Sequence, residues 1–164
     1  VSRAGTGYFF VVWGIVWLLG FLGGELLSPA GSGYLWMALD VFGMVGTVAA
    51  AVRLGRRVRS PEARRTGLRS AVLWVLLIAY GILLFWVSDP RPDRAILFVT
   101  LFVAFGYTIA GVWISTPLMV TGLAITGLAL LGWALFPALL GYWLAVVGGG
   151  GMIVVGLIML RAWR

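Results

Sequence analysis

Six long apolar segments alternate with short, more polar connections along the chain. They cover residues 7–27, 34–54, 70–88, 95–115, 117–135 and 139–160. Each is about 20 residues long, and at a rise of 1.5 Å per residue such a helix spans about 30 Å, the hydrocarbon thickness of a bilayer. Because backbone groups in lipid must be hydrogen-bonded within the protein, the pattern predicts an all-α integral membrane bundle of six transmembrane helices.

The composition supports the membrane assignment and leaves no separate water-soluble domain. The chain of 164 residues is 62% hydrophobic and only 10% charged, whereas soluble domains are about half apolar and about a quarter charged. We therefore expect residues 1–164 to form a single transmembrane domain. The first apolar segment has no A-x-A cleavage pattern after it, which favours a retained span over a signal peptide.

The apolar segments carry an internal repeat. An ungapped offset of 108 residues places Gly14 on Gly122 and Arg53 on Arg161. The same offset aligns Pro29, Tyr34 and Gly43 with Pro137, Tyr142 and Gly151. Chance accounts easily for glycine matches in a chain with 24 Gly, but the proline, tyrosine and arginine matches favour a duplication.

A third, weaker copy lies between these two. Pro92 precedes Gly106 by fourteen residues, the spacing that also separates Pro29 from Gly43, and an offset of 45 residues places Gly111 on Gly156. The predicted unit is a helical hairpin that occurs three times, at about 7–54, 70–115 and 117–160.

Proline and glycine have clear physical roles in such a hairpin. Proline in the turn ends one helix and suits the first position of the next, where its missing N–H costs nothing. Glycine removes a side chain where two membrane helices cross closely. The predicted packing glycines are Gly20, Gly24, Gly43, Gly106 and Gly151.

Arginine sets the predicted orientation. The net charge is +7, and all twelve basic residues are Arg. Ten lie on one side of the predicted bundle: before the first span, in a predicted cytoplasmic loop at 55–69 and its flanks, or at the chain end. The other two lie in a connection on the opposite side. The positive-inside rule therefore places both termini in the cytoplasm, with the spans in the plasma membrane. Nine of the ten are expected to contact lipid headgroups, including anionic ones: Arg53, Arg56, Arg57, Arg59, Arg64, Arg65, Arg69, Arg161 and Arg164.

Several functions are excluded by what the sequence lacks. It contains no Cys, His, Lys, Asn or Gln, so thiol chemistry and the commonest metal ligand are absent. The glycine run at 148–151 lacks the Lys and Ser/Thr of a phosphate-binding loop. We expect no enzyme activity, no cofactor, no bound metal and no nucleic-acid partner.

Asp40 is the main candidate for function. It lies inside the second apolar segment, where an ionised carboxylate costs several kcal/mol unless it is paired or hydrated. It is an intramembrane proton or cation site, a structural carboxyl that bonds to a hydroxyl such as Thr100, Thr121 or Thr126, or a rim residue that reaches the interface. Glu25, near the end of the first segment, is a weaker candidate for the same site, since solvation at the interface also explains it.

The aromatic pair Trp13 and Trp17 admits two interpretations. The residues lie one helical turn apart on the first segment, a spacing typical of core packing or lipid contact. A site for a quinone, a carotenoid or a lipid tail is the alternative.

Three proline-turned hairpins with glycine in the return helix and arginine after it resemble the HdeD-type short-repeat membrane proteins. The stretches that carry the resemblance are "WGIVWLLGFLGGELLSP", "YGILLFWVSDPRP" and "TGLAITGLALLGWALFP". The resemblance implies a three-hairpin architecture and a link with acid-stress resistance. This chain departs from that pattern in its long Arg-rich connection and in the nearly uncharged third hairpin.

Two functions remain open. The first is an accessory, scaffold or sensor membrane subunit that acts through contacts with lipids, a protein partner or further copies of itself. The alternative is a small transporter or channel that uses Asp40 as a proton or cation site, since transport folds often contain internal repeats.

Overall fold

The computed structural model describes residues 3–55, 61–114 and 116–161, with side chains at 7–50, 52–53, 65–91, 94–114 and 116–161. Within these ranges all regular structure is helical. Six helices are long and apolar enough to cross a membrane. This confirms the predicted all-α class with six membrane-spanning helices, and the chain is a multi-pass membrane protein.

Five of the spans are single α-helices, and the sixth changes its winding along its length. The α-helices are α1 (Arg3–Leu26), α2 (Pro29–Gly55), α3 (Pro61–Ser88), α4 (Pro92–Ile114) and α5 (Thr116–Leu135). The sixth span, Pro137–Arg161, contains a 3₁₀ turn Pro137–Leu139, a short helix α6 (Leu140–Trp143), a π-helical segment Leu144–Gly150 and a final helix α7 (Gly151–Arg161).

Proline marks the first residue of α2, α3 and α4. The helix α2 begins at Pro29, five residues before the predicted start, and the backbone N–H of Gly31 donates to the Ser28 hydroxyl oxygen at 3.3 Å. The helix α3 begins at Pro61, so residues 61–69 of the predicted loop are helical. Hydropathy missed both starts because a polar first turn is still helical when proline begins it.

The chain divides into two compact units. Unit 1 consists of Val1–Arg59 and Phe136–Arg164, and unit 2 of Ser60–Leu135. Unit 1 therefore contains α1, α2 and the sixth span, while unit 2 contains α3, α4 and α5. The two helices of the predicted third hairpin fall in different units, and the three-hairpin repeat stays a prediction.

In unit 1, α1 lies between α2 and the sixth span and is antiparallel to both. A Cβ atom on Gly20 would lie 2.6 Å from the Trp36 ring, and one on Gly46 would lie 3.1 Å from Val12. Residue numbers fall along α1 as they rise along α2, which defines an antiparallel pair. The aromatic rings of Phe21 and Trp36 meet edge to face with centroids 5.2 Å apart.

The backbones of α1 and the sixth span touch directly. A Cβ on Gly14 would lie 2.8 Å from the Gly149 carbonyl oxygen, and one on Gly156 would lie 2.7 Å from the Gly7 carbonyl oxygen. Both pairs have glycine on each side, spaced seven residues apart on each helix. A Cβ on Gly14, Gly149 or Gly156 would lie less than 3.0 Å from the opposite backbone, whereas one on Gly7 would lie 3.0 Å from the nearest backbone atom. The first three glycines therefore set how close the two helices lie.

This packing places two of the arginines at one end of unit 1. Arg53 follows Gly46 by seven residues on α2, and Arg161 follows Gly156 by five on the sixth span. Since Gly46 and Gly156 lie beside the N-terminal half of α1, both exposed arginines lie near the start of α1.

In unit 2, α4 lies between α3 and α5 and is antiparallel to both. A Cβ on Gly81 of α3 would lie 2.6 Å from the Phe102 ring, and one on Gly122 of α5 would lie 2.6 Å from the Ala104 carbonyl oxygen. Gly111 of α4 faces the backbone of Met119. The closest packing in this unit is therefore again between two helix backbones, those of α4 and α5.

We predict that Gly149→Ala destabilises the protein while its neighbour Gly150→Ala does not. The new Cβ at position 149 would lie 2.5 Å from the Leu18 backbone nitrogen, whereas nothing lies within 4 Å of the same atom at position 150. Overpacking against backbone costs about 1–3 kcal/mol. Thermal unfolding in detergent should show a clear loss for the first variant only, and equal melting curves would contradict the backbone contact.

Candidate functional site

Asp40 lies on the outer surface of unit 1, in the middle of a span. It follows Pro29 by eleven residues, which is about 16 Å along the helix axis, within the candidate span Pro29–Ala50. The earlier start of α2 therefore places it deeper than the sequence predicted. Its side chain is exposed, on a helix of which almost nothing is buried.

The threonine hydroxyls proposed as partners of Asp40 are used elsewhere. Thr100, Thr121 and Thr126 each donate to a carbonyl oxygen four residues earlier in their own helix, at 2.7 to 2.9 Å. Among the side chains that the structure describes, none donates a hydrogen bond to Asp40 or forms an ion pair with it. The carboxyl group is thus unsatisfied within the described part of the chain.

Glu25 is not brought close to Asp40. Its carboxylate lies against Gly141 in the first turns of the sixth span, where a negative charge is favourable beside the free N–H groups of a helix start. A Cβ on the neighbouring Gly24 would lie 3.6 Å from the hydroxyl oxygen of Ser32 on α2. Ser32 and Asp40 are eight residues apart, about 12 Å along α2, so the two acids occupy different levels.

Trp13 and Trp17 pack within unit 1. The Trp13 indole Nε1 donates to the Thr47 hydroxyl oxygen at 3.0 Å, and that hydroxyl donates to the Gly43 carbonyl oxygen at 2.8 Å. Trp17 is buried, lies 3.4 Å from the Cβ position of Gly148 and meets Phe21 edge to face. These contacts favour the packing interpretation over a ligand site.

The predicted packing glycines differ in their surroundings. A Cβ on Gly20 or Gly106 would overlap a neighbouring side chain. One on Gly43 would make a tight contact of 3.2 Å with Trp13, and one on Gly24 would make ordinary van der Waals contact. No heavy atom lies within 4 Å of the Cβ position of Gly151, because the contact with α1 runs through other glycines of the sixth span.

The predicted headgroup arginines are only partly described. The side chains of Arg53, Arg65, Arg69 and Arg161 are exposed. Arg56, Arg57, Arg59 and Arg164 lie outside the described residues, as does the side chain of Arg64. The four exposed guanidinium groups are free to meet a polar surface at the helix ends.

Sequence reasoning missed the π-helical segment and the glycines that carry the tightest contact. The segment Leu144–Gly150 buries Gly148 and Gly149 against α1, and π-helical turns are often found at functional sites. The run of four glycines from 148 to 151 was the available signal. Such a run favours close helix packing or a local distortion, but it does not identify which glycine faces which helix.

The described residues contain no group of three or more acidic, histidine or cysteine side chains that could hold a metal ion. Comparisons with known proteins place no further constraint on the site: no family model, no curated protein and no solved structure matches the chain.

We predict that Thr47→Val destabilises unit 1 by about 0.5–2 kcal/mol, since it leaves the Trp13 N–H without its acceptor. Thr121→Val is the matched control, because that hydroxyl donates to the Pro117 carbonyl of its own helix. Thermal unfolding followed by tryptophan fluorescence measures both. A Thr47 variant that melts like the control would rule out a stabilising role for this bond.

Proposed function

We propose that the chain is a non-enzymatic accessory or scaffold subunit of the bacterial plasma membrane that acts through contacts between its helices and a partner. The observation that carries this proposal is the exposed Asp40 carboxyl group on α2. An ionisable group at mid-span that no described side chain satisfies favours a partner outside the chain.

The proposed orientation has both termini in the cytoplasm. The positions of Arg53 and Arg161 at one end of unit 1 support it, because two arginine-bearing helix ends on the same side satisfy the positive-inside rule together. These arginines are expected to lie among the headgroups of the cytoplasmic leaflet.

The packing supports an internal duplication. On α5 the buried residues are Leu118, Gly122, Ile125, Ala129 and Gly132. The offset of 108 residues carries the first four of them onto Phe10, Gly14, Trp17 and Phe21 of α1, all of which are buried. Two helices in different units thus bury the same positions of one sequence pattern, at the alternating spacing of three and four residues typical of a paired helix.

The partners of these two helices correspond as well. Gly14 faces Gly149 and Ile153, while Gly122 faces Ala104 and Thr108. The offset of 45 residues carries Ala104 and Thr108 onto Gly149 and Ile153. The two offsets also relate a second contact. They carry Gly111 and Met119, which touch in unit 2, onto Gly156 and Val11, which touch in unit 1. We propose that α1 with the sixth span and α5 with α4 are two copies of one helix pair.

A three-hairpin ancestry of the HdeD type remains part of the proposal. It rests on the proline, glycine and arginine spacing and on the corresponding contacts above. A role in acid-stress resistance would follow from the resemblance alone and is not part of the proposed function.

Transport through Asp40 is the less favoured function. A proton path needs a series of polar groups on both sides of the carboxyl. The hydroxyl groups of Thr100, Thr121 and Thr126 instead bond to their own helix backbones. Asp40 alone, on an exposed helix face, does not constitute such a path.

We predict that Asp40→Asn releases a partner that the wild-type chain retains. The full-length protein is purified from its native membranes in mild detergent, and stoichiometry is measured by native mass spectrometry. Asp89→Asn is the matched control, since Asp89 is also an exposed acid but lies in a connection outside the spans. A stoichiometric partner should remain with the wild type and the control and be lost from the Asp40 variant.

Ion flux in vesicles separates the two functions. If the purified chain holds no partner and conducts protons or cations, and if Asp40→Asn abolishes that flux, the accessory role is wrong and transport replaces it. Equal or absent flux in both forms agrees with the accessory role.

A further inference from the structure

The face of α2 that carries Asp40 corresponds to a helix-contact face in the two other return helices. The repeat offset of 108 residues carries Asp40, Val41, Val45 and Val48 onto Gly148, Gly149, Ile153 and Gly156. In the sixth span these four positions meet α1: Gly148 faces Trp17, Gly149 faces the backbone of Leu18, Ile153 faces Gly14 and Gly156 faces Gly7.

The corresponding face of α4 is also a contact face. Ala104, Thr108 and Gly111 occupy the positions of Val41, Val45 and Val48. The first two surround Gly122 of α5, and Gly111 lies against Met119 of α5. The same register positions are therefore used for an antiparallel helix in both units.

On α2 the same positions are uncovered. The exposed fractions of Val41, Val45 and Val48 are 63%, 63% and 58%, whereas Ala104 is fully buried and Gly149 and Gly156 are buried. Lipid tails are a suitable environment for an apolar helix face, so the valines alone require no further contact. They are not a suitable environment for an ionised carboxylate, because hydrocarbon supplies no hydrogen bond and no counter-charge. The Asp40 carboxyl is exposed about a quarter of a turn around α2 from these valines.

The chain cannot supply an opposite charge at this depth. Its arginines lie outside the apolar segments or within the last residues at their ends, and it has no Lys or His. Arg53, the basic residue of α2 itself, lies thirteen residues beyond Asp40, about 20 Å along the axis. A basic side chain opposite Asp40 would therefore come from outside these 164 residues.

We infer that the α2 face formed by Asp40, Val41, Val45 and Val48 docks a transmembrane helix of a partner protein. That helix runs antiparallel to α2 and carries an Arg or Lys side chain at the level of Asp40. The inference rests on the proposed accessory function and on the proposed duplication, and it specifies the docking surface and the chemistry of the partner.

A second copy of this chain fits the face less well. Two copies in one membrane that met through this face would bring two Asp40 carboxyl groups together, and neither copy has a basic residue at that depth. The valines also suit an apolar helix surface, since membrane helices associate by close side-chain packing around one strong polar contact.

A defined peptide tests the inference directly. The full-length protein with a photo-crosslinking amino acid at Val41 is reconstituted in phosphatidylcholine vesicles with a synthetic transmembrane peptide of Leu and Ala that carries one central Arg. A peptide with Leu in place of that Arg is the ligand control. The same crosslinker at Ile158, which is 60% exposed in the same unit, is the position control.

We predict that the Arg peptide crosslinks at position 41 about tenfold or more above the Leu peptide, as expected for one charge-assisted contact. Asp40→Asn should remove this preference, while Asp40→Glu, which keeps the charge, should retain it. Little crosslinking is expected from position 158.

Three results would overturn the inference. They are equal yields for the two peptides, a preference for Arg that survives Asp40→Asn, and crosslinks from position 41 that form within one chain or between two copies. If the native chain retains a stoichiometric partner whose contacts map away from α2, the docking surface is wrong while the accessory function stands.

Discussion

The structure of unit 1 depends on the direct contact between the backbones of α1 and the sixth span. Glycine on both sides at Gly14 and Gly149, and again at Gly7 and Gly156, lets two helices approach until backbone meets backbone. Lipid tails are as apolar as leucine, so hydrophobicity does not hold membrane helices together, and close packing has to do so. This contact joins the first and last spans and fixes their register.

That register determines which helix surfaces of unit 1 are left exposed. With α1 covered by the sixth span on one side and by α2 on the other, the outer face of α2 has no neighbour within the unit. Three valines on that face need nothing beyond lipid. Asp40, exposed beside that face, is the one described group there for which lipid is a poor environment. The proposed function therefore concerns this surface.

Hydropathy predicted the six spans well, because length and apolar content are all that a bilayer requires of a helix. It placed the starts of α2 and α3 too late, since proline-led polar turns are helical without being hydrophobic. It did not predict which glycines carry the helix contacts. Lipid-facing and helix-facing positions are both apolar in a membrane protein, so the pattern along the sequence hardly distinguishes Gly149 from Gly151. The exposure of Asp40 was unpredictable for the same reason.

A disulfide between α1 and the sixth span tests the central contact most directly. The chain has no Cys, and the Cβ position of Gly7 lies 3.1 Å from the Cβ of Met159, close to the separation of about 3.5–4.5 Å found in disulfides. With Gly7→Cys and Met159→Cys combined, oxidation in isolated membranes should form an intramolecular bond rapidly. With Gly7→Cys and Ile158→Cys it should not. Equal yields for the two pairs, or crosslinks only between molecules, would contradict the antiparallel packing of these helices.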